Sequence, residues 1–250
     1  MWCRPRAVST ALMRSFGNRP DTVVADEPLY AFYLARSGKQ HPGREQILAS
    51  QPTDWRVVIG DLANRPLPPG KSVFFAKHMA HHLLPEVDAG ALRPFRHAYL
   101  IRDPEDLLAS YAKVRATPDE DDLGIRQQAE IFEAFGGPVI DSGDLLAAPA
   151  GMLRALCSAL GLPFTPAMLS WPPGPRETDG VWGPHWYEHV WRSTGFGQVS
   201  QRSRPLPPHL AELARRCRPF DERLRAYRLR PAAGSGGPTQ RRGADRAPDL

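Results

Sequence analysis

Cys3-Arg4-Pro5-Arg6-Ala7-Val8-Ser9-Thr10-Ala11-Leu12-Met13-Arg14-Ser15-Phe16 divides into two halves. In the first, two arginines flank Pro5, whose φ is fixed and which has no N–H, so Arg4 to Val8 reads as a tight loop. In the second, Ser9-Thr10 precede Ala11, Leu12, Met13 and Phe16, an apolar pattern at helical spacing. Ser or Thr at a helix start caps it with a side-chain oxygen. The unpaired N–H groups and partial positive charge of a helix N-terminus attract phosphate or sulfate. Arg4, Arg6, Ser9 and Thr10 are therefore candidates for an anion cradle. The same residues also fit an ordinary capped helix with a solvated basic flank, and the loop alone leaves both open. It is not a Walker A motif, because no glycine and no lysine precede Ser9.

Outward from this stretch, short apolar runs alternate with helical patterns. Only Met1-Trp2-Cys3 precedes the loop, which predicts a very short first strand. Val23-Val24-Ala25 reads as a second strand delivering Asp26-Glu27, with Leu29 to Leu34 as an aromatic-rich helix behind it. Gln40 to Pro52 reads as a loop running into a short helix, and Trp55 to Ala63 fits helix or strand. Ser72 to Ala76 is the best buried strand of the N-terminal half and ends in Lys77-His78-Met79-Ala80-His81-His82. His97 to Ile101 is the next, ended by Arg102-Asp103-Pro104, and Glu105 to Val114 follows as a helix with Pro104 near its first turn. Thr117 to Leu123 is acidic and expected to be exposed. An amphipathic helix over Ile125 to Phe135, a strand at Val139-Ile140, helical segments at Leu145-Leu146 and Met152 to Leu160, an aromatic Gly/Pro-rich stretch from Trp171 to Phe196 and one or two helices over Pro208 to Leu229 complete the pattern.

This alternation predicts an α/β fold of three layers, α/β/α, around a central parallel sheet. Ligands in such sheets bind at the carboxyl ends of the strands. The basic loop, Asp26-Glu27, Lys77-His78 and Arg102-Asp103 all follow strands, so they are expected to meet on one edge.

The chain has 250 residues, 42% of them hydrophobic, enough for a sizeable core; residues 1–230 read as one domain and 231–250 as a disordered Gly/Ser/Pro/Arg-rich tail. Lys and Arg number 32 against 27 Asp and Glu, a net charge of +5 that suits an acidic ligand. Part of that excess is the tail cluster Arg241, Arg242 and Arg246, so no nucleic-acid partner is expected. Cys3, Cys157 and Cys217 are odd in number and far apart, which gives neither a disulfide framework nor a metal spacing. His78 and His82 stand at i, i+4 without a third ligand, so no metal is expected. No apolar run approaches the roughly 20 residues of a membrane span and no signal peptide is read, so a cytoplasmic protein without a membrane partner is expected.

The series of motifs resembles the sulfotransferase superfamily, whose fold is P-loop NTPase-like and whose donor is 3'-phosphoadenosine-5'-phosphosulfate. Pro5-Arg6-Ala7-Val8-Ser9-Thr10 is similar to that family's phosphosulfate-binding loop, and Leu100-Ile101-Arg102-Asp103-Pro104-Glu105-Asp106-Leu107-Leu108-Ala109-Ser110 matches its second signature. Asp144 to Pro149 and Leu160-Gly161-Leu162-Pro163-Phe164 resemble its downstream helix and the end of that helix. Trp2 to Arg6, Asp26 to Tyr30, Lys77 to His82 and Trp182 to Tyr187 resemble a bacterial and plant subgroup, some of whose members carry a branched-chain aminotransferase-like label. No lysine context here suggests a pyridoxal phosphate enzyme.

The resemblance implies transfer of a sulfuryl group from the nucleotide donor to a hydroxyl or amine of a small molecule. It implies that Arg102 and Ser110 bind the 3'-phosphate, with Arg192 as a further contact. Lys77 would stabilise the leaving phosphate, and Glu27 and His78 are alternative catalytic bases. His81 and His82 read as packing or capping, and the Trp171 to Phe196 stretch as satellite core or as a lid. The alternatives are a nucleotide-dependent kinase on a similar sheet and a non-catalytic nucleotide-binding relative. Acceptor and oligomeric state are not written in the sequence.

Overall fold

The computed structural model describes residues 1–113, 117–198 and 205–231. Val114, expected at the end of a helix, and residues 232–250 of the expected tail lie outside the described residues. The strands are β1 (Trp2–Cys3), β2 (Thr22–Asp26), β3 (Val73–Met79), β4 (Tyr99–Ile101) and β5 (Val139–Asp141). They form one sheet in the order β2-β3-β1-β4-β5, and every pairing is parallel. Between and after them come α1 (Ser9–Gly17), α2 (Tyr30–Ser37), α3 (Arg44–Ser50), α4 (Trp55–Asn64), α5 (Pro104–Tyr111), α6 (Glu120–Leu123), α7 (Ile125–Phe135), α8 (Ser142–Ala147), α9 (Pro149–Ala159), α10 (Gly183–Trp186), α11 (Glu188–Trp191) and α12 (Pro208–Arg225). None is long and apolar enough to cross a membrane, among the described residues.

Alternation along the strands produces the three layers. Trp2, Tyr99, Ile101 and Val139 pack on one face against side chains of α2, α4 and α7, among them Phe32, Ile59 and Ile131. Their neighbours Cys3, Leu100 and Ile140 turn to the other face, against Leu12 and Phe16 of α1 and Leu153 and Leu156 of α9. The ambiguous Trp55 segment is helical: Asp54 caps it by accepting from Arg56 N–H, and Trp55, Val58 and Ile59 bury one stripe. At the Arg-Asp-Pro stretch, Asp103 caps α5 from the amides of Glu105 and Asp106, while its other oxygen takes Arg218 of α12 at 2.8 Å. Gly137 sits at φ +118°, where a Cβ would fall 2.2 Å from the His97 carbonyl, so only glycine lets the approach to β5 pass beside the start of β4.

Two expectations change. The acidic segment ends in a helix that is not exposed throughout: Asp122 and Leu123 are buried, Asp122 held by Lys39 and by a reciprocal cap with Asp119. And β3 runs on to Met79, because β2 pairs with it as far as Asp26–Lys77 and β1 then pairs at Trp2–His78 and Cys3–Met79. Lys77 and His78 therefore lie within the strand and point to opposite faces.

β1 contributes two residues at the centre of the sheet, too few for a ladder to secure them. Side chains hold it instead. Gln128 of α7 donates to the carbonyls of Trp2 (2.9 Å) and Leu100 (3.1 Å) and accepts from Arg4 Nε at 2.7 Å. Arg4 Nη1 reaches the Arg102 carbonyl at 2.8 Å and Asp221 of α12 at 2.5 Å. Both members of this ion pair are 0% exposed. Breaking a buried pair leaves an uncompensated charge and costs about 3–5 kcal/mol. Asp221→Ala is accordingly expected to lower the unfolding free energy by about that amount in urea titration. Arg192→Ala, at an i, i+4 pair whose arginine side chain is 72% exposed, is expected to change it by less than about 0.5 kcal/mol.

Candidate active site

A cleft of about 950 Å³ opens at the carboxyl ends of the strands, and every strand sends residues to its wall. After β1 come Pro5 to Ala11, at the end of β2 Glu27, after β3 His81 and His82, after β4 Arg102 and Asp103, and from β5 Asp141 with Ser142 and Gly143. The volume lies within the range of small-molecule sites. β1 stands between β3 and β4, where successive connections leave toward opposite edges, the place at which open parallel sheets form a crevice.

The loop after β1 is strained. Arg6 has φ +59° and Val8 φ +56°, a left-handed conformation that is a genuine outlier for a β-branched residue. Glu27, at φ +40°, is the other non-glycine residue with positive φ among the described residues, and all three line the cleft. Strain of this kind costs about 1–3 kcal/mol per residue and clusters at functional sites. The turn brings the loop into α1 so that the N–H groups of its first turn, unpaired within the helix, open beside Ser9 and Thr10 on the cleft wall. Arg102 donates to the Arg6 carbonyl, and Arg6 Nε donates to Ser110 Oγ at 3.2 Å. Arg6, Arg102 and Ser110 thus form one group around the loop.

Next to the loop lies a buried polar knot. Lys77 Nζ is 2.7 Å from Asp26 Oδ1, 2.9 Å from Glu27 Oε1 and 2.7 Å from Tyr187 Oη, with Thr10 Oγ1 at 3.5 Å. Burial pushes the Glu27 carboxyl up, the Lys77 ammonium opposes that shift, and the Asp26 charge adds to it. Lys77 stays protonated, its pKa held well above normal: burial works against the charge, and the two carboxylates outweigh it. Beside Glu27, His82 Nδ1 lies 3.9 Å from Oε2, and the His82 ring stacks on Tyr30 and Tyr33. Burial holds His82 neutral, so the approach to Glu27 is not an ion pair.

Of the residues selected from the sequence, Arg6, Ser9, Thr10, Glu27, Arg102 and Ser110 line the cleft. Arg4 does not: it is spent on Asp221 and Gln128 beneath the loop. Lys77 is 0% exposed and reaches the cleft through its partners. His78 lies on the far face of the sheet, stacked 4.7 Å from Trp2, where burial keeps it neutral. Arg192 is on the surface with Glu188. Sequence reasoning passed over Tyr30 and His41 as site residues and kept Tyr187 only as part of the aromatic stretch; all three line the cleft, and the first two are joined by a 2.7 Å hydrogen bond. Their signal was weak, since aromatic residues at helical spacing read first as core. That stretch is part core and part cleft wall: Trp182 and Tyr187 pack with Tyr30, Tyr33 and Leu34, while Trp186, Tyr187 and Val190 line the cleft. No group of three or more metal-binding side chains occurs among the described residues.

A parallel sheet in this order, with arginines, a serine and a helix N-terminus gathered at its strand ends, defines a doubly wound α/β protein with a cleft at the switch point. A family model described as a sulfotransferase domain matches residues 1–227, and the chain belongs to the sulfotransferase family. Among curated proteins it is similar to two from Arabidopsis thaliana, branched-chain-amino-acid aminotransferase-like protein 2 (34% identical over 232 residues) and protein 1 (35% over 231). Each match takes in 90% of this chain, which spans 41% of the relative's length. Two solved structures share the fold. A sulfotransferase from Alicyclobacillus acidocaldarius is 16% identical with a TM-score of 0.54, over 90% of this chain and 94% of that one. The sulfotransferase domain from the curacin biosynthetic pathway is 14% identical with a TM-score of 0.50, over 86% and 95%.

The buried histidines give the protein a pH-dependent stability. His78 and His82 both bind a proton less readily when folded than the ordinary value near 6.5, because burial disfavours the charged ring. Their contribution is complete above that value and is lost as pH falls from it toward the folded-state pKa. Glu27, shifted up, acts in the opposite sense and offsets part of the loss. Unfolding free energy is expected to fall between about pH 7 and pH 5.5, by up to about 1.4 kcal/mol per pH unit for each proton taken up. Urea titrations of wild type and His78→Phe at a series of pH values check this; the variant has the shallower slope.

Proposed function

We propose that the protein is a cytoplasmic sulfotransferase that moves a sulfuryl group from 3'-phosphoadenosine-5'-phosphosulfate to a hydroxyl or amine of a small molecule. The observation that carries this reading is that two anion-binding groups share one cleft and are linked to each other. One is the strained loop running into α1, with its first-turn N–H groups, Ser9 and Thr10; the other is Arg102 with Ser110, and Arg6 bridges the two. A donor with a phosphosulfate at one end and a 3'-phosphate at the other fits that pair. The α1 end holds the phosphosulfate, and Arg102 grips the 3'-phosphate as a guanidinium fork beside the Ser110 hydroxyl.

When bound, the donor supplies an activated sulfuryl group. The chain supplies position, charge and a base. Arg6 and the dipole of α1 face the place where negative charge gathers on the departing phosphate. Glu27 takes the proton of the acceptor at its carboxylate. Its cleft position supports that role, and its raised pKa makes it the stronger base. His78 is not part of this reading, because it faces the other side of the sheet. A second reading, a nucleotide-binding relative without turnover, is favoured by one observation: Lys77 is committed to two carboxylates rather than to the cleft.

Calorimetric titration with 3'-phosphoadenosine 5'-phosphate tests the nucleotide class. Micromolar binding by wild type is expected, weakened roughly 10- to 100-fold in Arg102→Ala, as for loss of a charge-assisted contact. Glu27→Gln is expected to bind the nucleotide like wild type and to lose turnover. A folded wild type that does not bind, or that prefers ATP with magnesium, overturns the reading. Binding and no transfer to any of a panel of alcohols and amines favours the non-catalytic relative.

A further inference from the structure

Lys77, Asp26 and Tyr187 meet at a point to which the proposed chemistry gives no task. β2 and β3 set Asp26 and Lys77 side by side in parallel register, and the backbone then turns at Glu27 through a positive φ. The turn folds Glu27 back toward the same ammonium. Three oxygens stand within 2.9 Å of Nζ: Asp26 Oδ1, Glu27 Oε1 and Tyr187 Oη. Tyr187 has one proton of its own. Asp26 Oδ2 lies 2.7 Å from the phenol oxygen and Glu27 Oε1 3.4 Å, so that proton goes to Asp26. The phenol oxygen also accepts from Trp182 Nε1 at 2.9 Å, and Asp26 Oδ2 accepts from Gly180 N–H at 3.2 Å. Lys77 Nζ donates to the Tyr187 oxygen, with Thr10 Oγ1 at 3.5 Å, and meets the two carboxylates as ion pairs. Glu27 meets the ammonium at Oε1, its Oε2 lies 3.9 Å from His82 Nδ1, and the residue lines the cleft.

We propose that Lys77, Asp26 and Tyr187 are positioning residues for Glu27: they anchor one of its oxygens, present the other to the acceptor, and divide the single buried cation so that Glu27 has only a share of it. This deepens the assignment of Glu27 as base and rests on it. A carboxylate that owned the whole charge of Lys77 would be a weak base, and one with no cation in a site this dry would stay protonated. Sharing with Asp26 holds Glu27 between those limits. The neighbouring groups agree in direction: Lys77 and the Tyr187 hydroxyl pull the Glu27 pKa down, while burial and Asp26 push it up. Tyr30 and Cys3, whose pKa values are both raised, and His82, which is neutral, also interact with Glu27. Tyr187 sits between α10 and α11, so the same hydroxyl also ties the aromatic stretch to Glu27.

The full chain labelled with 13C at glutamate carboxyls tests this without nucleotide or acceptor. The Glu27 signal is identified by its loss in Glu27→Gln and followed by NMR from about pH 4 to pH 9. Asp26→Asn hands the cation to Glu27 and is expected to lower the Glu27 midpoint by about half a pH unit or more. Tyr187→Phe takes from Asp26 Oδ2 its hydroxyl donor, so that Asp26 draws more on the cation, and Lys77→Met removes the cation; both are expected to raise the midpoint by at least as much. Shifts of opposite sign are the signature, since loosened packing moves all variants one way. A midpoint within about 0.2 unit of wild type in both Asp26→Asn and Tyr187→Phe, or one that moves the same way in both, overturns the proposal. If circular dichroism shows that removal of either charged group unfolds the chain, Tyr187→Phe decides alone: an upward shift supports the proposal and an unmoved midpoint overturns it. Should nucleotide binding fail while the shifts appear, the base role of Glu27 falls and the sharing of the cation stands.

Discussion

Arg4 carries a charge to a place that water does not reach, and much of the molecule is arranged to meet it. Taking a guanidinium out of water costs several kcal/mol unless its donors are matched. Nε and Nη1 are matched from three directions, by Gln128 on α7, Asp221 on α12 and the Arg102 carbonyl at the end of β4, while Nη2 has no hydrogen-bond partner among the described residues. Asp221 is in turn held by Arg225, which also reaches Asp141 at the end of β5. One buried ion therefore fixes a two-residue central strand, two helices and two strand ends relative to one another. The ligand-facing loop starts at the next residue, Pro5.

That placement explains how the loop keeps its strain. Val8 and Arg6 hold backbone angles that neither would choose alone. The base of the loop is clamped by Arg4, its carbonyl at Arg6 is taken by Arg102, and its far end is committed to α1 through Val8. A segment fixed on three sides cannot relax without breaking something worth more than the strain. Its amides are thus oriented before any ligand arrives, which is the condition under which fixed dipoles do most for developing charge.

Much of this was legible in the chain. The alternation of short apolar runs with helical patterns gave the layers, and the place of Arg102 after a strand, with Ser110 on the helix that follows, put both on the cleft wall. Glu27 followed from its place at a strand end. Other residues could not be placed so readily. Arg4 and Arg6 look alike in sequence, and what separates them is Asp221, 217 positions away. His78 and Lys77 could have been told apart by period two alone, had the strand been read to Met79; the polar character of the pair hid its continuation. Arg192 looked like a phosphate contact, but its α11 neighbour Glu188 holds it at the surface. The histidine and tyrosine wall near Glu27 depends on stacking between α2 and the turn after β3, a relation that no local pattern records.

The clamp on β1 also fixes an order of events. Each partner of residues 2 to 4 lies far along the chain: β3 and β4 pair with β1 from 76 and 97 positions away, Gln128 from 124 and Asp221 from 217. Closing loops of that length is slow compared with forming local helices, and synthesis runs at about 5–20 residues per second. The central strand emerges from the ribosome long before its neighbours exist and must wait for nearly the whole domain. The last of its partners, Asp221, is made only when 217 further residues have followed Arg4.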